Sequence, residues 1–269
     1  MFIINKGRYI LMKIIDKLGV QVFTVRDFMQ NEADIAETFR KLKDLGYDQI
    51  QTARCAVPYE VYGELADKAG IEIVGTHDNF DLMFNDFDTA LANHKALGTM
   101  NMGIGGMFFG EAPITPEQVE EFITKANAVG ANAAKYGGKF TYHNHAHEFV
   151  RLSNGRTIMD MLTEGLHKDL TSFVLDTFWV QRGGGEPSDW IEKLAGRIDI
   201  LHLKDMLIVQ GTKEMKITEI GNGNLNWERI LTTAKNTGVK YYVVEQDFCD
   251  GDPFDSLKFS SEYIHKNFM

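Results

Sequence analysis

The sequence predicts a single-domain (β/α)8 barrel, and three observations lead there. Eight short apolar runs alternate with longer stretches of helical period. Gly46, Gly70, Gly98, Gly138 and Gly238 each stand between a helical stretch and the next apolar run, where glycine tolerates the left-handed conformation that ends many helices. At least four of the runs turn ionisable at their C-terminal ends: His143 in GKFTYHNH, Asp176 in SFVLDTFW, His202 in IDILHLKD and Glu245 in YYVVEQD. Parallel strands in a closed barrel deliver those ends to one mouth. An open doubly wound sheet shares the alternation. Eight repeats and no glycine fingerprint after the first strand favour closure.

The elements follow in order. Residues 1–16 read as an N-terminal extension, with Met12 a second candidate start, and the barrel begins at about residue 17. Lys6, Arg8, Lys13 and Asp16 interrupt the apolar N-terminus and no small-residue cleavage site follows. Neither a signal peptide nor a membrane span is expected there. The strands are expected at 20–24, 49–52, 71–76, 99–104, 139–145, 172–176, 198–203 and 241–245. Helix 33–45 carries Ile35, Phe39 and Leu42 on one face. Helix 116–136 opens with Thr115 as N-cap, Pro116 at its first position and Gln118 placed to complete a capping box. Further helices are expected at 227–236 and 254–268. The loosest stretch, Arg182-Gly183-Gly184-Gly185-Glu186-Pro187, reads as a mouth loop after the sixth strand. Gly221-Asn222-Gly223-Asn224 reads as a turn before the helix at Trp227 in preference to a phosphate cradle.

Composition narrows the partners. A chain of 269 residues with net charge -10 and no Lys/Arg block is not expected to bind nucleic acid. Cys55 and Cys249 are too few for a disulfide framework, so a reducing, cytoplasmic setting is expected. The expected partner is a small sugar or polyol, with no membrane contact and self-association left open.

Side chains alternate faces along a strand. His143 and His145 therefore point one way, as do His202 with Lys204 and Glu245 with Asp247. His143, Asp176, His202 and Glu245 meeting at one mouth would hold a divalent metal. Manganese is expected first, then zinc, cobalt or iron, with magnesium less suited to two imidazoles. His145 is a rival ligand or a substrate contact. His77 ends the third run and could line the pocket, Trp179 could wall it, and Glu148 lies on the loop past the fifth strand. Lys204 could stabilise an oxyanion, exchange protons if its pKa is lowered, or pair with Asp205 or Asp247. His94, His167 and His265 each neighbour a lysine and read as surface residues.

These segments, with GVQVFTVRD, YHNHAHEF, LDTFW, HLKD, GNGNLNW, VVEQD and SLKFSSEYI, resemble the xylose isomerase-like TIM-barrel superfamily. Within it they resemble the bacterial sugar phosphate isomerase/epimerase group that includes inosose dehydratases. Ketose 3-epimerases of the superfamily bind one metal through Glu, Asp, His and Glu. The resemblance puts Asp176, His202 and Glu245 on the last three positions and His143 on the first, in place of the glutamate. Those epimerases use the first and last glutamates as an acid–base pair, which is incomplete here. His145 remains a rival for the first position, and Glu148 could supply a carboxylate from the loop.

The implied activity is metal-dependent isomerisation or epimerisation of a small polyhydroxylated carbonyl compound, through proton abstraction and an enediolate. Glu245, His145 or Lys204 would move the proton, and His77, Glu148, Trp179 and Asp247 would contact substrate. The alternative is a lyase acting on a keto-inositol or a 3-keto sugar. Less favoured are an apurinic endonuclease-like enzyme and a non-catalytic sugar-binding protein.

Overall fold

Each apolar run becomes a strand buried on both faces, the usual state of a parallel strand between helices. The computed structural model describes residues 4–5, 8–9, 13–107 and 113–269. The barrel strands are β1 (Leu18–Gln21), β2 (Gln49–Ala53), β3 (Glu72–His77), β4 (Asn101–Ile104), β5 (Lys139–His143), β6 (Thr171–Asp176), β7 (Ile198–Leu203) and β8 (Tyr241–Val244). All the ladders between them are parallel and run in the order β3-β2-β1-β8-β7-β6-β5-β4. The remaining seam, β3 against β4, is joined partly by side chains. Gly103 N–H donates to Thr76 Oγ1 (3.1 Å), Asn101 Nδ2 to Val74 O (2.7 Å) and Asp78 N–H to Gly103 O (2.8 Å). The result is a nearly closed (β/α)8 barrel ringed by helices.

The barrel interior holds a small apolar plug of Val74, Val174, Ile200 and Val243. The larger core lies outside the strands, under the helices. Helix α1 (Glu32–Asp44) buries Ile35, Phe39 and Leu42, as its spacing predicts. Helix α5 (Pro116–Ala134) has the expected reciprocal capping box between Thr115 and Gln118. The helices before α5 are α2 (Tyr59–Ala69), α3 (Phe80–Asn85) and α4 (Phe87–Ala96). Those after it are α6 (Ile158–Gly165), α7 (Thr177–Arg182), α8 (Pro187–Lys193), α9 (Trp227–Thr237) and α10 (Pro253–Phe268). No helix among the described residues is long and apolar enough to cross a membrane. Met12 lies outside the described residues. Ile14 and Ile15 tie the extension to the barrel by donating their N–H groups to Phe268 O.

Several boundaries differ from expectation. The first strand ends at Gln21, because the Gln21 side chain accepts the Phe23 N–H and starts a 3-10 turn, Val22–Phe28. The fifth strand stops at His143, two residues early. Gly137 (φ 76°), not Gly138, takes the left-handed position after α5. Gly138 instead lets the chain pass close to Met100, whose carbonyl oxygen would lie 2.5 Å from an added Cβ. The triple-glycine loop does not follow β6 directly, because α7 intervenes. An unanticipated antiparallel hairpin, Asp205–Ile208 with Met215–Thr218, follows β7. It packs Met206 and Ile217 on Phe178.

His94 is also a correction. It is fully buried, with Nε2 2.9 Å from Thr76 Oγ1 and Nδ1 2.7 Å from Ala90 O. A neighbouring lysine says little about a histidine whose own helix face turns inward.

Candidate metal centre and active site

The site grows out of the strand period. On β6, β7 and β8 the inward residues Val174, Ile200 and Val243 belong to the plug. Two residues further along each strand come Asp176, His202 and Glu245. His143 joins them from the end of β5. All four are buried, and one ligand atom from each lies within 4.8 Å of the others. The plug beneath them keeps water out and the local dielectric low.

Neighbouring groups fix how each side chain points. Asp176 divides its oxygens: Oδ1 caps α7 by accepting the Trp179 N–H (2.9 Å), while Oδ2 faces the cluster. His143 Nδ1 meets Gly105 O at 3.2 Å. A carbonyl only accepts, so the proton sits on Nδ1 and the Nε2 lone pair faces inward. That Nε2 lies 3.4 Å from Asp176 Oδ2 and 3.8 Å from Glu245 Oε2. His202 Nε2 lies 2.5 Å from Gln51 Oε1, leaving Nδ1 to the cluster, 2.9 Å from Glu245 Oε2 and 3.8 Å from Asp176 Oδ2.

Lys204 enters between the carboxylates. Its Nζ is 2.9 Å from Asp176 Oδ2, 2.8 Å from Glu245 Oε2 and 3.1 Å from Asp247 Oδ1. Burial alone would lower its pKa, but Asp176, Glu245 and Asp247 outweigh burial and raise it above the usual lysine value. The three carboxylates thus favour the ammonium form of Lys204, against the expectation of a lowered pKa. Burial likewise opposes ionisation of Asp176 and Glu245, yet Lys204 leads the groups that hold both below the usual carboxylate range. Asp247 shifts the other way, raised by burial and by the Glu245 charge.

Asp205 is not the partner of Lys204. Its carboxylate accepts the N–H groups of Gly221 (2.9 Å), Gly223 (3.3 Å) and Leu225 (3.2 Å) and the Trp227 indole (2.6 Å). The glycine-rich segment is thus a turn wrapped on an internal carboxylate, as expected. Its amides are not free to cradle a phosphate.

A cavity of about 1090 Å³ opens from His143, Glu245 and Asp247 toward the ends of β2 and β3. His77, His145, Arg54, Cys55 and Asp78 also line it. Arg54 sits in the left-handed region (φ 63°), unusual for a side chain of its size. Burial, then His143 and Lys204, lower the His145 pKa to about 3, so its imidazole is neutral near pH 7. His77 is also held neutral, chiefly by burial.

A profile of the xylose isomerase-like TIM barrel family matches residues 39–264. The chain belongs to that family. Among curated proteins, the inosose dehydratase of Clostridium beijerinckii is 25% identical to this xylose isomerase-like barrel over 189 residues. That match covers 64% of this chain and 61% of the dehydratase. A sugar phosphate isomerase/epimerase structure from Parabacteroides distasonis superposes with a TM-score of 0.77 at 20% identity, over 97% of this chain and 95% of that one. An L-ribulose 3-epimerase structure gives 0.71 at 14% identity, over 94% and 95%. At these identities the two structures speak for the fold.

The residues present fit a divalent cation. Donors each about 2.0–2.2 Å from one ion lie about 3–4 Å apart; the four histidine–carboxylate distances run from 2.9 to 3.8 Å, and all the ligand atoms lie within 4.8 Å of one another. His202 Nδ1 and Glu245 Oε2 are buried and face each other at 2.9 Å without a well-aligned hydrogen bond, with Lys204 Nζ 2.8 Å from the same oxygen. Three carboxylates surround one ammonium, an excess of negative charge that a cation would offset. An N2O2 donor set suits manganese, iron, cobalt or zinc.

The other expected site residues divide. His77, His145 and Asp247 line the cavity with Glu245. Trp179 is half-buried, its ring 5.2 Å from that of His145. Glu148 does not reach the cavity: it is fully buried, and its oxygens accept from Tyr142 Oη (2.6 Å) and His145 N–H (2.7 Å). It ties Tyr142 of β5 to the His145 backbone, and its Oε1 also lies 3.2 Å from His147 Nε2. Sequence reasoning missed Gln21 and Gln51, fully buried amides at the end of β1 and in the middle of β2. A glutamine inside an apolar run, as in GVQVF and DQIQT, was the available signal.

Proposed function

We propose that this protein abstracts the proton next to the carbonyl of a small polyhydroxylated compound and returns it to give an isomer or epimer. The convergence of His143, Asp176, His202 and Glu245 on one buried point beside the cavity carries the reading. A divalent cation held by these four would supply Lewis-acid stabilisation of the negative charge that develops on the substrate oxygens. Glu245 is ionised and lines the cavity, so it is the first candidate base, with the neutral His145 imidazole second. Lys204 stays protonated and balances the charge of the carboxylates.

A dehydration in the same pocket is the second reading. It begins with the same proton abstraction and ends by expelling a hydroxyl at the neighbouring carbon. Histidine at position 143 favours it, because a second glutamate to reprotonate the opposite face is missing. The inosose dehydratase likeness points the same way.

The experiment is solvent deuterium exchange followed by NMR and mass spectrometry on a panel of ketoses and keto-polyols. An isomerase retains the substrate mass, and a dehydratase product is lighter by one water. Glu245→Gln is expected to lose about two to four orders of magnitude in exchange rate, as for a removed general base. Undiminished exchange in the metal-replete variant would assign the base elsewhere, His145 being next.

A further inference from the structure

A single backbone N–H sets the orientation of two buried amides and, through them, the proton positions on two site imidazoles. Phe23 N–H can only donate, and it meets Gln21 Oε1 at 3.2 Å. The other end of that amide is therefore nitrogen. Gln21 Nε2 donates to Gln51 Oε1 at 3.1 Å and reaches His77 Nδ1 at 3.2 Å. The Thr52 carbonyl, another pure acceptor, lies 3.5 Å from the same nitrogen. An amide N–H cannot accept, so His77 Nδ1 carries no proton and the ring is the neutral Nε2–H tautomer. Gln51 Oε1 in turn accepts from His202 Nε2 at 2.5 Å, which keeps that proton on Nε2 and leaves Nδ1 to the cluster.

His77 is set against the cluster. Its ring lies 4.9 Å from the His143 ring and 5.5 Å from the His202 ring, and it lines the cavity. Its Nε2 is buried and meets no hydrogen-bond partner in the protein. A protonated nitrogen with no acceptor from the protein, on a residue that lines the cavity, is a place for an oxygen from a ligand.

We infer that Gln21 is a positioning residue that holds His77 as a neutral Nε2–H donor to a carbonyl or hydroxyl oxygen of the substrate, and through Gln51 aims His202 Nδ1 at the metal-ligand cluster. Gln21 touches neither substrate nor cluster. It acts by denying His77 a proton on Nδ1. The substrate contact rests on the proposed function; the tautomers do not.

Nitrogen-resolved NMR of labelled histidine imidazoles at neutral pH, assigned with single-histidine variants, reads the tautomers directly. The wild type is expected to show His77 protonated at Nε2 and bare at Nδ1, and His202 protonated at Nε2. Gln21→Glu, which replaces the donor by an acceptor, is expected to place a proton on His77 Nδ1. Gln21→Met, which removes both, is expected to give a mixture of His77 tautomers. A wild-type His77 protonated at Nδ1 overturns the inference, as does a Gln21→Met spectrum identical to that of the wild type.

With a turned-over substrate, His77→Phe is expected to raise KM about tenfold, the loss of one hydrogen bond to the ligand. His77→Gln, whose amide nitrogen can take the place of Nε2, is expected to recover most of that loss. Equal KM values for His77→Phe and the wild type overturn the substrate contact. If the wild type turns over no compound of the proposed class, the functional reading fails, and the wild-type spectrum alone decides the tautomer relay.

Discussion

Asp176 shows how much one side chain is asked to do. One oxygen starts a helix and the other faces an ammonium and two imidazoles. Removing it unties the cap and strips the cluster of a charge. Wild-type protein is expected to carry about one divalent ion per chain, and Asp176→Ala and His202→Ala to carry none. Elemental analysis after desalting checks this, and stoichiometric metal in both variants would reject the four-residue site. The ionisable members of the cluster were legible in the sequence because each interrupts an apolar run at the same relative place. The glutamines were legible only as polar breaks in apolar runs, without their partners. Gln21 and Gln51 look like ordinary polar residues until the barrel brings them within hydrogen-bond distance of each other, His77 and His202. For Glu148, no pattern in YHNHAHEF tells that Tyr142, the His145 backbone and His147 will surround its oxygens.

At the scale of elements, two contacts hold pieces that the strand ladders do not. The β3–β4 seam depends on Gly103, where an added Cβ would lie 2.3 Å from both Thr141 Oγ1 and Thr76 O. Backbone cannot give way as a side chain can, so Gly103→Ala is expected to cost about 3 kcal/mol or more, the upper end for overpacking. Urea unfolding measures it. Glu219 joins the hairpin after β7 to the start of α10, accepting from Thr218 Oγ1 (2.9 Å) and Ser256 Oγ (2.8 Å). Burial opposes its ionisation, but these hydrogen bonds and one from its own backbone lower its pKa to about 2. Because the folded value lies below the unfolded one, the unfolded chain takes up the proton first. The stabilisation is complete above about pH 4.5 and is lost as the pH falls toward about 2. Glu219→Gln is expected to flatten the stability profile over that interval, as measured by denaturant midpoints against pH.

The molecule is an acidic barrel with its candidate metal site gathered at one end. A net charge of -10 without a basic stripe predicts no salt-sensitive micromolar binding to duplex DNA near physiological ionic strength. Fluorescence anisotropy with a labelled duplex tests this. Such binding would revive the endonuclease reading.

What the sequence determined by itself was the repeat. Buried parallel strands read as continuous apolar runs, helices read as a 3.6-residue period, and a barrel must bring eight strand ends to one mouth. The architecture and the His143, Asp176, His202 and Glu245 convergence followed from that periodicity. Tertiary structure alone decided what depends on neighbours distant in the chain. It set which oxygen faces which nitrogen, kept Lys204 charged between three carboxylates, turned His94 inward against Thr76, and gave Asp205 to the glycine turn. Periodicity fixes the face on which a residue lies, whereas its protonation and its partners depend on what other segments bring within about 3 Å, a distance that no spacing along the chain encodes.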